Sequence, residues 1–417
     1  MFVLRSPASI TCTLLATLGV LSTACGSSNL SQLGAGGGGT PGNGPSPGDG
    51  ASGATVSHGG TRPACSAPAS YRNLFVEVLD KSPAEIDAKL DAAIAQLFHG
   101  PSDQAVYFEL GSDQAYVQDI ANDDVRSEGQ SYGMFIAATM GMKPELDKLW
   151  TYAATRMRQS SGLFAWQMTP EGTVKSASAA PDGEEYFAMA LLLASRRWGD
   201  GTGTDYGKEA KAVLNAMAHA GDFKTNPAVV TFGPNTQYSD ASYVLPLFYS
   251  EWACFDPANA ELWKSATTYA RSFFQKATDP TTGLAAERAA FDGTPQGDFG
   301  PDAWRVPMNI MMDYNLNYAD DWQATYAARM AAFWTKEGLG SYGNGYTLGG
   351  TKKATGHGAG QTAVNAMLAF ALPTDAGKPF LQAVWDAKVP TGQYRYYDGM
   401  LYLLAMLHMS GKFTLLY

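Results

Sequence analysis

The chain has 417 residues, 45% of them hydrophobic and 12% aromatic, enough for one large domain or two ordinary ones with a sizeable core. Its 29 Lys and Arg stand against 39 Asp and Glu, a formal net charge of -10, which argues against a phosphate-backbone partner such as nucleic acid. Neutral ligands, held by aromatic faces and hydrogen bonds, remain open.

The N-terminus reads as an export signal over 1–24, with Arg5, an apolar run around Ile10 to Leu21, and small residues before Cys25. The run is too short to span a membrane as a helix. Leu21-Ser22-Thr23-Ala24-Cys25 resembles a bacterial lipobox, which implies a cell-envelope lipoprotein held to the outer or plasma membrane only by lipid on Cys25. Simple cleavage to a secreted protein is the alternative. Residues 25–70 are dominated by Gly, Ser, Pro and Thr, including Gly36-Gly37-Gly38-Gly39, and read as a flexible tether ahead of a folded domain over 71–417. Cys12 would leave with the signal, so Cys65 and Cys254 remain and could pair in an oxidising compartment. There is no Cys-x-x-Cys and no His-Glu-x-x-His, and the five histidines are scattered, so neither a metal site nor a cofactor is expected. Nothing in the sequence fixes an oligomeric state.

From Ser82 onward helical periods alternate with glycine- and aromatic-rich connections. Ser82-Pro83-Ala84-Glu85 is a capping box with proline in the first turn and opens a helix running through Leu97. Further helices are predicted at about 131–142, 144–158, 183–198, 206–219, 242–254, 259–276, 303–317, 320–336, 360–371, 377–387 and 396–410, a dozen in all. Strand-like alternation is confined to Ala105 to Glu109, Gly162 to Met168 and Val229 to Phe232. Such a pattern suggests helical hairpins packed in sequence, as an open solenoid or a closed ring, and weak self-similarity disfavours a simple solenoid.

Three acidic segments stand out. In Asp124-Val125-Arg126-Ser127-Glu128-Gly129-Gln130-Ser131-Tyr132-Gly133-Met134, Glu128 sits at the mouth of a buried helix, where desolvation can raise its pKa until it holds a proton near neutrality. The same segment holds Gly-x-Ser-x-Gly, the elbow of serine hydrolases with Ser131 as nucleophile, but the run from Asn122 to Glu128 is too polar for the buried strand that motif needs. In Ala180-Pro181-Asp182-Gly183-Glu184-Glu185, Asp182 and Glu185 have the spacing of a capping box, a structural explanation complete in itself. In Phe299-Gly300-Pro301-Asp302-Ala303-Trp304-Arg305, Asp302 could cap a helix and pair with Arg305 as an ordinary surface bridge.

Taken together, the three segments resemble glycoside hydrolase family 8, closest to its oligoxylan-cleaving members, over about Tyr71 to Tyr417. The resemblance implies an all-α (α/α)6 barrel of six inner and six outer helices. It implies an inverting hydrolase of β-1,4-xylosidic bonds in xylo-oligosaccharides or xylan, with release of xylose from the reducing end among the activities it suggests. Glu128 is then the general acid and Asp302 the base, with Arg305 keeping Asp302 ionised and Asp182 binding and distorting the sugar in the -1 subsite. Glu184 stands where many relatives have Asp. Inversion needs two carboxyls roughly 6.5–9.5 Å apart, one protonated and one ionised, with a water between.

Aromatic residues near these segments are candidates to stack on pyranose faces, chiefly Trp166 and Tyr243, then Tyr396 and Tyr397. His357, in the glycine-rich stretch from Leu339 to Gly360, falls where a loop histidine of reducing-end-specific oligoxylanases closes the cleft, though its neighbours Gly356 and Gly358 depart from that pattern. An endo-β-1,4-glucanase or chitosanase of the same family, a non-catalytic glycan-binding lipoprotein and a Ser131 esterase are the competing readings.

Overall fold

The structure, a computed structural model, describes residues 62–68, 70–201, 203–317 and 320–417; the expected export signal and Cys25 lie outside them. The described helices are α1 Leu74–Leu79, α2 Pro83–His99, α3 Ser127–Met140, α4 Lys143–Tyr152, α5 Pro181–Trp198, α6 Tyr206–His219, α7 Pro246–Phe255, α8 Ala260–Ala277, α9 Val306–Asn317, α10 Asp321–Glu337, α11 Ala359–Ala366, α12 Thr374–Asp386 and α13 Arg395–Met409. All twelve expected helices are present. The addition, α1, is six residues long, too short to show a helical period.

Odd and even helices from α2 onward divide by burial. Along α3, α5, α9 and α13 nearly every residue is buried, as expected of helices surrounded on all sides. In α8, by contrast, only Trp263, Ala266, Ala270, Phe273, Phe274 and Ala277 are buried, one stripe at helical spacing. Each large side chain of that stripe contributes about 1.5–3 kcal/mol on leaving water. The inner helices follow one another in a ring, α3 on α5, α5 on α7, α7 on α9, α9 on α11, α11 on α13, and α13 back on α3. The outer helices α4, α6, α8, α10, α12 and α2 back them in turn. The last inner contact closes the (α/α)6 barrel. The predicted capping box forms, with Ser82 Oγ accepting the Glu85 N–H at 3.3 Å and Glu85 Oε2 accepting the Ser82 N–H at 2.9 Å.

A small antiparallel sheet lies before and after α3, with strands β1 Tyr107–Leu110, β2 Gln114–Asp119, β3 Asp124–Arg126, β4 Gln167–Met168 and β5 Val174–Ser176 in sequential order. Here the sequence reading needs correction. The polar run before Glu128 does contain a central strand, because Asp124 and Val125 are buried and Val125 pairs with both Gln118 and Met168. Polar side chains are tolerated there because Asp124 is matched by Arg126, whose Nε reaches its carboxylate at 3.1 Å. Strand β3 runs directly into α3, and the Ser127 N–H donates to Trp166 O at 3.0 Å, so sheet and helix together aim Glu128.

The tether predicted over 25–70 also ends early. Cys65 is disulfide-bonded to Cys254 at the end of α7, with Cα atoms 5.5 Å apart. Arg62 is buried, and its Nη2 donates to Glu251 Oε1 at 2.5 Å and Asn317 Oδ1 at 2.7 Å. The folded domain therefore takes in residues ahead of 71.

Candidate active site

Glu128, Asp182 and Asp302, each separated by more than fifty residues in sequence, converge on the guanidinium of Arg305. Glu128 lies in the first turn of α3 and Asp182 in the first turn of α5; Asp302 and Arg305 lie in a short 3-10 turn that leads into α9. Arg305 Nη1 donates to Glu128 Oε2 at 2.8 Å, to Asp182 Oδ2 at 2.7 Å and to Tyr132 Oη at 3.0 Å, while Nη2 donates to Asp302 Oδ1 at 3.1 Å. Because one planar guanidinium carries both bonds, the Glu128 and Asp302 oxygens that it holds are at most about 8 Å apart.

The expected surface bridge is thus a buried hub, since Arg305 is 1% exposed. Neither of the expected helix caps forms. Asp182 occupies the second position of α5 and turns to Arg305, and Glu185 accepts instead from the Tyr249 hydroxyl at 2.7 Å. Asp302 makes no capping bond and leaves its side chain 46% exposed to the cleft. Glu184 Oε1 accepts the Phe164 N–H at 2.8 Å and is buried behind the site.

Three carboxyls face one cation, and burial makes the ionisation of Glu128 and Asp182 costly. Burial raises Glu128 above the usual carboxylate range, against the pull of Arg305 and with a push from Asp302. Burial pushes Asp182 up to about 7, again opposed by Arg305 and reinforced by Glu128. Arg126, the nearest other cation, is held by Asp124 and by Asp119 at 3.0 Å. Both shifts favour the protonated form, the condition for a proton donor.

Two lobes of one cleft meet at Arg126, Glu128 and Asp302. The smaller, about 300 Å³, holds Asp182, Trp166, Phe232 and Tyr243; the larger, about 610 Å³, holds Trp304, Asn344, His357 and Tyr397. A chain of sugars lying along both would present the bond between two rings to Glu128 and Asp302.

The aromatic candidates divide. Trp166 is half-buried beside the smaller lobe with the Arg126 guanidinium 5.7 Å from its ring. Tyr243 is 6% exposed, parallel to the Phe232 ring at 5.6 Å and with Arg305 at 5.4 Å, so it offers an edge, not a stacking face. Tyr396 is 2% exposed and donates its hydroxyl to Glu128 Oε1 at 2.8 Å. It contacts the acid rather than presenting a platform, and Gly129 lies so close that a Cβ there would collide with the Tyr396 ring. Tyr397 is half-buried in the larger lobe and donates to Pro301 O at 2.8 Å. His357 is exposed at the rim of that lobe, with Nδ1 3.1 Å from Tyr342 O and Nε2 3.2 Å from Thr362 Oγ1.

Several residues of the site carried no sequence signal. Tyr132 is a further partner of Arg305, Asp240 is buried near Asp302, and Glu287 accepts the Asp302 N–H at 3.3 Å. Ser131, by contrast, is fully buried and donates to Glu128 O at 2.8 Å, which removes it as a nucleophile facing a cleft. Among the described residues no group of His, Cys, Asp and Glu could hold a metal ion.

A closed ring of paired helices, with a desolvated carboxyl and a solvent-reaching one on either side of a cleft at its mouth, defines a glycoside hydrolase. The chain belongs to Glycosyl hydrolases family 8, whose match covers residues 111–411. It is 37% identical over 367 residues to the reducing-end xylose-releasing exo-oligoxylanase Rex8A of Paenibacillus barcinonensis, covering 82% of this chain and 96% of that one. It is 37% identical over 369 residues to the reducing end xylose-releasing exo-oligoxylanase of Halalkalibacterium halodurans, covering 83% and 94%. The solved structure of Rex8A complexed with xylose superposes with a TM-score of 0.80 at 36% identity over 84% of this chain and 98% of that one.

Proposed function

We propose that the protein hydrolyses β-1,4-xylosidic bonds of xylo-oligosaccharides with inversion, releasing xylose from the reducing end. The observation that carries this reading is the convergence of Glu128, Asp182 and Asp302 on Arg305 where the two lobes meet. The names of the relatives point to the same substrate class. In this reading Glu128 hands its proton to the glycosidic oxygen while Asp302 takes a proton from water as that water attacks the anomeric carbon from the opposite face. The bond to the departing xylose breaks, Glu128 is left ionised and Asp302 protonated, and exchange with solvent restores both. Asp182, held by Arg305, grips hydroxyls of the sugar in the smaller lobe. His357 and Tyr397 contact the departing sugar in the larger lobe, and Trp166 stacks on the chain further into the smaller one.

Xylotriose labelled in its reducing-end sugar tests the proposal. Labelled xylose and unlabelled xylobiose are expected, with xylobiose appearing first as the α-anomer by NMR. A β-anomeric first product would overturn inversion, and labelled xylobiose would overturn release from the reducing end. Unchanged oligosaccharide with measurable binding would favour a binding lipoprotein, and faster cleavage of cellopentaose would favour an endoglucanase.

We also infer export with a lipid on Cys25. The Cys65–Cys254 disulfide supports an oxidising compartment. Cys25→Ala should move the protein from the membrane fraction to the soluble one, and an unchanged distribution would overturn the anchor.

A further inference from the structure

Asp302 is held from two sides, by Arg305 and by a carboxylate that stands outside the acid, base and sugar-binding set. Glu287 comes from the long connection between α8 and α9 and is fixed there by its own backbone, whose N–H donates to Asp298 O at 3.1 Å. Its Oε1 accepts the Asp302 backbone N–H at 3.3 Å. The same carboxylate lies against the backbone of Gly300, and a Cβ at that position would collide with it. Glycine at 300 therefore makes room for a carboxylate that grips the turn two residues before the base. The far side of that turn is tied as well, since Phe299 exchanges backbone hydrogen bonds of 2.9 and 3.0 Å with Tyr346.

Resting on the reading of Asp302 as the general base, we propose that Glu287 is its positioning residue, holding the backbone of the turn that carries the base. Arg305 holds the Asp302 side chain through Nη2 at 3.1 Å while Glu287 holds its backbone, so carboxylate and main chain of the base are fixed separately.

Two variants test this grip. Glu287→Gln keeps an acceptor for the Asp302 N–H, whereas Glu287→Ala removes it. Glu287→Ala should lose kcat on xylotriose about tenfold or more at unchanged KM, because the turn carrying the base is released, and Glu287→Gln should hold kcat within about threefold of the parent. Circular dichroism and melting temperature report folding for each. Equal losses in both variants, an unchanged kcat in Glu287→Ala, or a loss confined to KM would overturn the proposal. Failure of the underlying hydrolase reading would show separately, as a parent protein that leaves xylotriose intact.

Discussion

Two buried arginines, at Arg305 and Arg62, use the same chemistry to opposite ends. At Arg305 one cation serves three carboxyls, one of them open to the cleft. At Arg62 the ratio is reversed, since Glu251 is met by Arg62 at 2.5 Å and Arg196 at 3.6 Å and also accepts from the Tyr417 hydroxyl at 2.5 Å. The first arrangement leaves Glu128 and Asp182 raised by burial against a single shared cation. The Arg62 cluster, beside the Cys65–Cys254 bridge, is a staple that fastens the front of the domain to α7. In the proposed function the Arg305 cluster is the reactive one, with three carboxyls sharing a single guanidinium.

That contrast can be broken or sharpened by substitution. The largest expected effect is at the acid and the base, where Glu128→Gln and Asp302→Asn should each lower kcat on xylotriose by about a thousandfold with far-ultraviolet circular dichroism unchanged. Retained turnover in either would sink the proposed roles. Next is Arg305→Met, which leaves three carboxyls without a cation. Turnover should fall by about a hundredfold or more, and the alkaline limb of kcat/KM should move to higher pH, since the group that favours the ionised form of Glu128 is gone. An alkaline limb moving down instead would contradict the shortage of charge.

At the other cluster, Arg62→Met should destabilise the fold by about 3–5 kcal/mol in urea titration, the cost of a buried carboxylate left with a weaker partner. Turnover of the folded fraction should be unchanged, and a selective loss of kcat would show that the staple reaches the site. The smallest effect concerns Asp222, buried with neither carboxylate oxygen bonded and held up to about 8 by burial and by Asp182. A carboxyl raised in the folded state contributes stability that is present below its ordinary value and lost as pH rises through the raised one. The melting temperature should therefore decline between about pH 4 and 8, and Asp222→Asn should make that decline shallower. Parallel curves would remove Asp222 from the account.

Much of this molecule was legible in one dimension. Helical period, capping and proline at first turns located twelve helices, because the stripe of α8 and the box at Ser82 and Glu85 are local arrangements. The strand ahead of Glu128 was not legible, because its polar Asp124 is neutralised by Arg126 and paired with strands that come from further along the chain. The caps assigned to Asp182 and Asp302 were locally reasonable and not realised, since a carboxylate near a helix start takes the strongest donor available, and here that is Arg305. Tyr396 illustrates the same limit, an aromatic near a cleft whose hydroxyl, not its face, serves the site. Glu287 had no local signal at all.

By itself the sequence determined twelve of the helices and their order, and the family through three acidic segments, all properties of residue type and spacing. Only the tertiary structure decided that the ring closes with α13 on α3 and that one guanidinium gathers three remote carboxyls. It also decided which tyrosines face the cleft and which carboxylate grips the turn of Asp302. The physical reason is that protonation and reach depend on desolvation and on the nearest opposite charge, and both are set by segments distant in the chain, as Arg305 is from Glu128 and Asp182.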